Sequence, residues 1–294
     1  MSTLTTHTTA SRDSHSIGLC KFNTTSKAIE VSDGTNWLIY DYDSTTALTN
    51  RYAVDLDGAG DYMALGDQDF FSLGDGAGTD NAFSISGWFN ADSIGTFYIA
   101  TKDASGAREW AFRTISSQLS FFAFGTGGGY IGRQYTTALS TGQWYHAVVT
   151  YDGSKASSGI TLYLNGSAVD NADYSSGTYT AAVNAGAEVR AGALQVNNTY
   201  SDGKIDELAI FNSELTAAQV ANIYKGEESG GSGGTNGKPG ELSTFSPVGW
   251  WRMGDGVEGG SGTTIYDTST NSNNGVLSGD AVITSIGIGE SIYV

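Results

Sequence analysis

Asp267, Ser269, Asn271, Asn273 and Gly275 set an oxygen-bearing side chain at every second residue up to a glycine. In a curled loop that spacing aims hard oxygen ligands at one point, as a structural Ca²⁺ requires. The same run reads equally as an Asx-rich turn that satisfies its own backbone. Asp57 and Asp61 flank a Gly-Ala-Gly turn and could serve a cation similarly. Catalytic chemistry has little to work with. Asp206 and Glu207 are adjacent, and a strand directs adjacent side chains to opposite faces. They therefore cannot together form the carboxylate pair, about 5–9.5 Å apart, that glycoside hydrolysis uses. His7 and His15 lie in a polar N-terminal stretch, and His146 sits inside an apolar run where a structural role is expected. Cys20 follows an apolar residue in a hairpin pattern and reads as a small packing residue. No nucleophile elbow, phosphate loop or zinc-protease motif occurs. For sugar binding, the aromatics available to stack on a ring are Tyr98, Trp110, Phe112, Tyr130, Tyr135 and Tyr200. The sequence does not select among them.

The elements that must position these residues are strands. The chain has 294 residues, 14 Lys+Arg against 31 Asp+Glu (14 − 31 = −17), 41 glycines, two prolines and one cysteine. One cysteine excludes an internal disulfide framework, and the acidity disfavours a nucleic-acid partner. No apolar run approaches the ~18 residues of a membrane span, and no secretory signal pattern is visible at the N-terminus. Phe83, Ile85 and Phe89 alternate with Ser84, Ser86 and Trp88. Residues 144–151 are apolar on both faces, as a covered central strand would be. Asn165-Gly166 after Ile160–Leu164 is a hairpin signal, since a type I′ turn needs positive φ twice. Many short strands between Gly/Asn/Asp turns predict an all-β sandwich or jelly roll.

One segment departs from this. Thr216 and Gln219 fit a capping box, Leu215 and Val220 the hydrophobic staple, and Gly226 the C-terminal stop. A single short helix is expected there. Residues 227–240 have linker composition. Residues 241–294 return to strand patterns but carry too little apolar content for an independent core. They are expected to add strands to the preceding sandwich, to a neighbouring subunit or to another protein.

Five segments in order, YAVDLDGAGDYMALG (52–66), AFSISGWFNA (82–91), GQWYHAVVTYDG (142–153), LYLNG (162–166) and GKIDELAIFNSELTAAQVANIYKGE (203–227), resemble the LamG-like members of the concanavalin A-like jelly rolls. The resemblance implies a two-sheet sandwich closed by the short helix. It also implies a structural calcium, with Asp206 as a ligand beside Asp267, Asn271 and Asn273 if the tail folds back. VGWWRMGDG (248–256) is similar to the segment that usually opens such a domain. Its position after the helix indicates either a permuted domain or a truncated second copy. Permutation is physically easier, because truncation would leave Trp250, Trp251 and an open strand edge exposed.

Residues 18–37 resemble a hairpin module of tailed-phage structural proteins, with Phe22, Ile29, Val31 and Trp37 as its apolar positions. The resulting expectation is a non-enzymatic virion structural protein that decorates the phage particle surface, as a capsid decoration or knob-like protein. Residues 1–48 would form an attachment arm, 49–226 the jelly roll, 227–240 the linker and 241–294 the added strands. Its partners would be capsid or other virion proteins and further copies of itself, with neither nucleic acid nor membrane. A tail-associated adhesin that binds host carbohydrate is the alternative.

Overall fold

The computed structural model describes the strands at 5–7, 20–23, 28–32 and 37–40, residue 50, and residues 52–169, 171–226, 242–255 and 261–286. The linker at 227–240 and the turns between the N-terminal strands lie outside the described residues. The chain divides into two units, Met1–Ala47 and Leu48–Val294.

The first unit is a four-stranded sheet of β1 (Thr5–His7), β2 (Cys20–Asn23), β3 (Ala28–Ser32) and β4 (Trp37–Tyr40), in that order. β1 and β2 run parallel and the other pairs antiparallel, with Phe22 opposite Ile29, Val31 opposite both Cys20 and Leu38, and Trp37 opposite Ser32.

The second unit is a sandwich. In chain order its strands are β5 (Tyr52–Asp57), β6 (Tyr62–Ala64), β7 (Phe83–Ala91), β8 (Tyr98–Ala104), β9 (Ala107–Ile115) and β10 (Gln118–Phe124). Next come β11 (Tyr130–Tyr135), β12 (Trp144–Tyr151), β13 (Ile160–Leu164), β14 (Ser167–Ala168), β15 (Asn171–Asp173), β16 (Arg190–Ala191), β17 (Ala193–Leu194) and β18 (Thr199–Tyr200). β19 (Asp202–Phe211) leads into the helix α1 (Ala217–Lys225), and β20 (Gly249–Trp251), β21 (Thr264–Ile265), β22 (Gly275–Ser278) and β23 (Val282–Ser285) follow. One sheet has nine strands in the order β15-β11-β10-β9-β8-β16-β6-β22-β21. The other has eight, β14-β13-β12-β7-β19-β5-β23, with β20 also on β19.

The core lies between the sheets because each contributes alternate side chains to it. Trp110, Phe112, Leu119 and Phe121 come from the nine-stranded sheet, and Ile85, Phe89, Val149, Leu208 and Ile210 from the other. Phe83 and Trp110 meet across the gap with ring centroids 5.8 Å apart. The strands after residue 241 join both sheets of this unit. β20 pairs with β19, β22 with β6 and β23 with β5. Trp250 and Trp251, neighbours on β20, point to opposite sides: Trp251 enters the core and Trp250 the outer face of the eight-stranded sheet.

The helix forms as its end signals require. Thr216 and Gln219 make a reciprocal capping box, and Gly226 closes the helix at φ 71°, a left-handed conformation that glycine adopts without a Cβ clash. Its buried face, Val220 and Ile223, packs with Val148, Phe211, Leu242, Phe245 and Trp250 over the eight-stranded sheet. That outer face is therefore covered. Among the described residues no helix is long and apolar enough to cross a membrane.

Candidate functional site

The outer face of the nine-stranded sheet carries a different set of residues. On β9, Trp110 and Phe112 face the core, so Ala111 and Arg113 face out; on β10, Leu119, Phe121 and Ala123 face in, so Ser120, Phe122 and Phe124 face out. The register then aligns Tyr98, Arg113, Ser120 and Gln134 in one row across β8 to β11. The next row holds Thr101, Ala111, Phe122 and Gly132, and beyond it Phe124 lies opposite Tyr130.

These side chains form a continuous band of rings. Phe122 meets Tyr130 and Tyr174 edge-on, each at 5.4 Å between centroids, and Phe124 meets Tyr130 at 5.7 Å. Tyr174 is 39% exposed. Gly132 makes room for this packing, since a Cβ there would sit 2.9 Å from the Phe122 ring. Further along the sheet Tyr62 stacks on Tyr200, and the Tyr98 hydroxyl accepts from the Thr199 hydroxyl. Three arginines lie over the band: Arg108 over Phe124 at 3.9 Å, Arg190 over Tyr62 at 4.1 Å, and Arg113 over Phe122 at 5.1 Å and Tyr98 at 5.9 Å. All fall within the ~6 Å over which a ring face attracts a cation. Of the six aromatics the sequence offers for sugar stacking, the structure places Tyr98, Tyr130 and Tyr200 on this face. Trp110 and Phe112 are core residues, and Tyr135 packs against the core.

The oxygen-rich loop is a knot that ties β20 to the sheet. Asp267 Oδ1 accepts from the Trp250 and Ser269 amides, and Oδ2 from the Asn273 amide and the Ser269 hydroxyl. A carboxylate offers about four lone-pair sites, and protein donors engage four. Asn271 and Asn273 donate to the carbonyls of Val248 and Leu65. The residues of this loop, as arranged, do not fit a cation that needs Asp267 as a ligand. Asp206 bonds elsewhere, accepting from Asn50 and from the Glu207 amide. Asp57, Asp61 and Asp280 bring their carboxylate oxygens within 4.8 Å of one another. Asp61 accepts from the amides of Asp57 and Asp280, and burial, with the charge of Asp57 adding to it, raises its pKa.

The register of β19 corrects the strict alternation expected at Asp206 and Glu207. It shifts between Asp206 and Ala209, and Glu207 adopts φ 47°. This bulge inserts one extra residue, so Glu207 reaches the Trp250 indole N–H, 2.7 Å, on the outer side of the sheet. Arg252 Nε also donates to Glu207, at 3.0 Å. Both acids are buried, which raises both pKa values; Glu207's charge adds to the rise at Asp206, and Arg252 opposes it at Glu207. His146 is buried beside Trp88 and Tyr224, paired with the Ser86 hydroxyl at 2.9 Å, and burial lowers its pKa to about 3.

Residues 57–221, more than half of the chain, match the Concanavalin A-like lectin/glucanases superfamily, and the chain belongs to that family. Among solved structures it is similar to a Bacteroides ovatus protein provisionally named as carbohydrate-binding, with a TM-score of 0.52 and 18% identity. The match covers 80% of this chain and 60% of that one, so the chain spans three fifths of the Bacteroides protein's length. Mouse laminin α1 domains LG4-5 match at TM-score 0.40 and 12% identity, covering 60% of this chain and 44% of that one. Domain 4 of a Geobacillus stearothermophilus arabinanase, solved with arabinotriose, matches at 0.37 and 19%, covering 51% and 69%. No curated protein matches the chain in sequence.

Proposed function

We propose that Leu48–Val294 is a non-enzymatic carbohydrate-binding domain and that its binding surface is the outer face of the nine-stranded sheet. The observation that carries this reading is the band of Tyr98, Phe122, Tyr130 and Tyr174, with arginine and amide groups beside it, on a face where the other sheet has a helix and tail. Tyr174 is exposed and Tyr130 half-buried above the buried Phe122 and Tyr98; surface rings flanked by hydrogen-bonding groups suit a sugar, whose apolar C–H face stacks while its hydroxyls bond around the rim. The name of the Bacteroides protein and the arabinotriose complex are in keeping with this. Met1–Ala47, with its own sheet, acts as the attachment arm of a virion surface protein; the resemblance of residues 18–37 to a phage hairpin module supports that part. In this setting the domain serves as an adhesin presented on the particle.

The test is a panel of neutral and acidic oligosaccharides probed with the labelled full chain and with Tyr174→Ala. Binding to at least one class, weakened at least tenfold by the substitution at unchanged melting temperature, is expected. No binding across the panel would overturn the carbohydrate reading. Immunogold labelling of particles with an antibody against 50–226 checks the location, and unlabelled particles would overturn it.

A further inference from the structure

The three arginines of the open face are not equivalent. Arg108 forms a two-pronged pair with Asp103, Nε to Oδ1 at 2.8 Å and Nη2 to Oδ2 at 2.9 Å. Arg190 Nε donates to Glu188 at 2.7 Å. Arg252, on the covered side, is paired with Glu207, and the buried Lys102 ammonium is held by Glu109, Asp67 and the Ala185 carbonyl. Arg113 has no carboxylate partner among the described residues. Its guanidinium rests against Phe122 and Tyr98, and its Nε is buried without a hydrogen-bond partner.

The surrounding lattice explains why. The cross-strand neighbours of Arg113 are Tyr98 and Ser120; the row on one side is Thr101, Ala111, Phe122 and Gly132, and on the other Ile115 faces Gln118. No position in these rows is acidic, in a chain where acids outnumber basic residues 31 to 14. A buried donor left unpaired costs about 1–3 kcal/mol, and more when charged. Arg113 is half-buried, with Nε enclosed, and its two Nη groups can engage two oxygens of an oxyanion with parallel hydrogen bonds.

We propose that Arg113 selects sugars carrying an oxyanion, a carboxylate or a sulfate, with Tyr98 and Phe122 holding the guanidinium in place. This deepens, and rests on, the carbohydrate reading above. The oxyanion pairs with the guanidinium from its solvent side, and the rings of Tyr130 and Tyr174 take the adjoining sugar.

The experiment measures binding of the full chain to immobilised dextran, dextran sulfate and polygalacturonate, for the wild type, Arg113→Gln and Arg113→Lys. The wild type is expected to bind one of the acidic polymers at least tenfold tighter than dextran. The sulfate and polygalacturonate arms distinguish sulfate from carboxylate. Arg113→Gln should bring that affinity down to the dextran level, and Arg113→Lys, which keeps the charge without the fork, should recover part of it. Equal wild-type binding to all three polymers overturns the inference while leaving the carbohydrate reading intact. So does Arg113→Gln binding like the wild type at the same melting temperature. Should Arg113→Gln not fold, the wild-type comparison of dextran with dextran sulfate decides alone. Failure to bind any of the three overturns the inference, and the neutral members of the oligosaccharide panel show whether the broader reading falls with it.

Discussion

The two outer faces of the sandwich solve opposite problems with similar residues. The eight-stranded sheet carries Val148, Tyr163, Ala209 and Phe211 outward and covers them with α1, Leu242, Phe245 and Trp250. The nine-stranded sheet carries Phe122, Phe124, Tyr130 and Tyr174 outward and lays arginine side chains over them instead. On the first face the ionisable groups, Glu207 and Arg252, are paired and enclosed. On the second, one cation stands without a partner. Apolar rings capped by chain stabilise a fold; on the second face Tyr174 stays exposed and Phe124 and Tyr130 half-buried, with long cationic side chains beside them for a ligand to engage.

This contrast can be broken from the covered side first. Trp250→Ala removes a buried indole and the donor to Glu207, and should cost about 3–5 kcal/mol, read as a fall in melting temperature on the order of 10 °C. Affinity for any sugar bound by the opposite face should not change in protein that remains folded.

Acid titration sharpens the contrast next. His146 titrates at about 3 in the fold against an ordinary 6.5. Between those values the unfolded chain takes up the proton and the native chain does not, so this contribution to stability is present above pH 6.5 and is lost as pH falls toward 3. Asp206 acts in the opposite sense: its folded pKa is raised, so its contribution is lost as pH rises through that value. Denaturant melts from pH 3 to 8 should show the acid slope flattened in His146→Gln and the opposing slope removed in Asp206→Asn. The smallest stability effect is on the open face, where Tyr174→Ala should change folding free energy by less than about 1 kcal/mol even as it weakens sugar binding.

Much of the sandwich was legible because its signals are local. The capping box at Thr216 and the stop at Gly226 need only their own neighbours, and the strands announce themselves through period-two patterns. The open face was less so. In β10 the run Leu119–Phe124 is apolar on both sides, so nothing in it says which rings point in. The phase comes from Trp110 and Phe112 on the adjacent strand, both offered as sugar-stacking residues and both packed in the core. Arg113 was missed, although its place in phase opposite to those two rings was the available signal. The bulge at Glu207 is set by pairing with β7 and has no local mark. The spacing around Asp267 was readable, but the donors that engage its carboxylate come largely from amides whose placement only the folded loop determines.

The position of β5 has a consequence for how the protein is made. Its neighbours are β19 and β23, and Tyr52 pairs with Ser285. Closing a loop of that length costs about 5 kcal/mol of chain entropy, and it cannot close before residue 285 has been synthesised. At roughly 5–20 residues per second, the ribosome therefore holds an unfinished sandwich, with its first strand lacking at least one neighbour, for at least ten seconds or so. The timing of translation, as well as its product, is part of what this fold must survive.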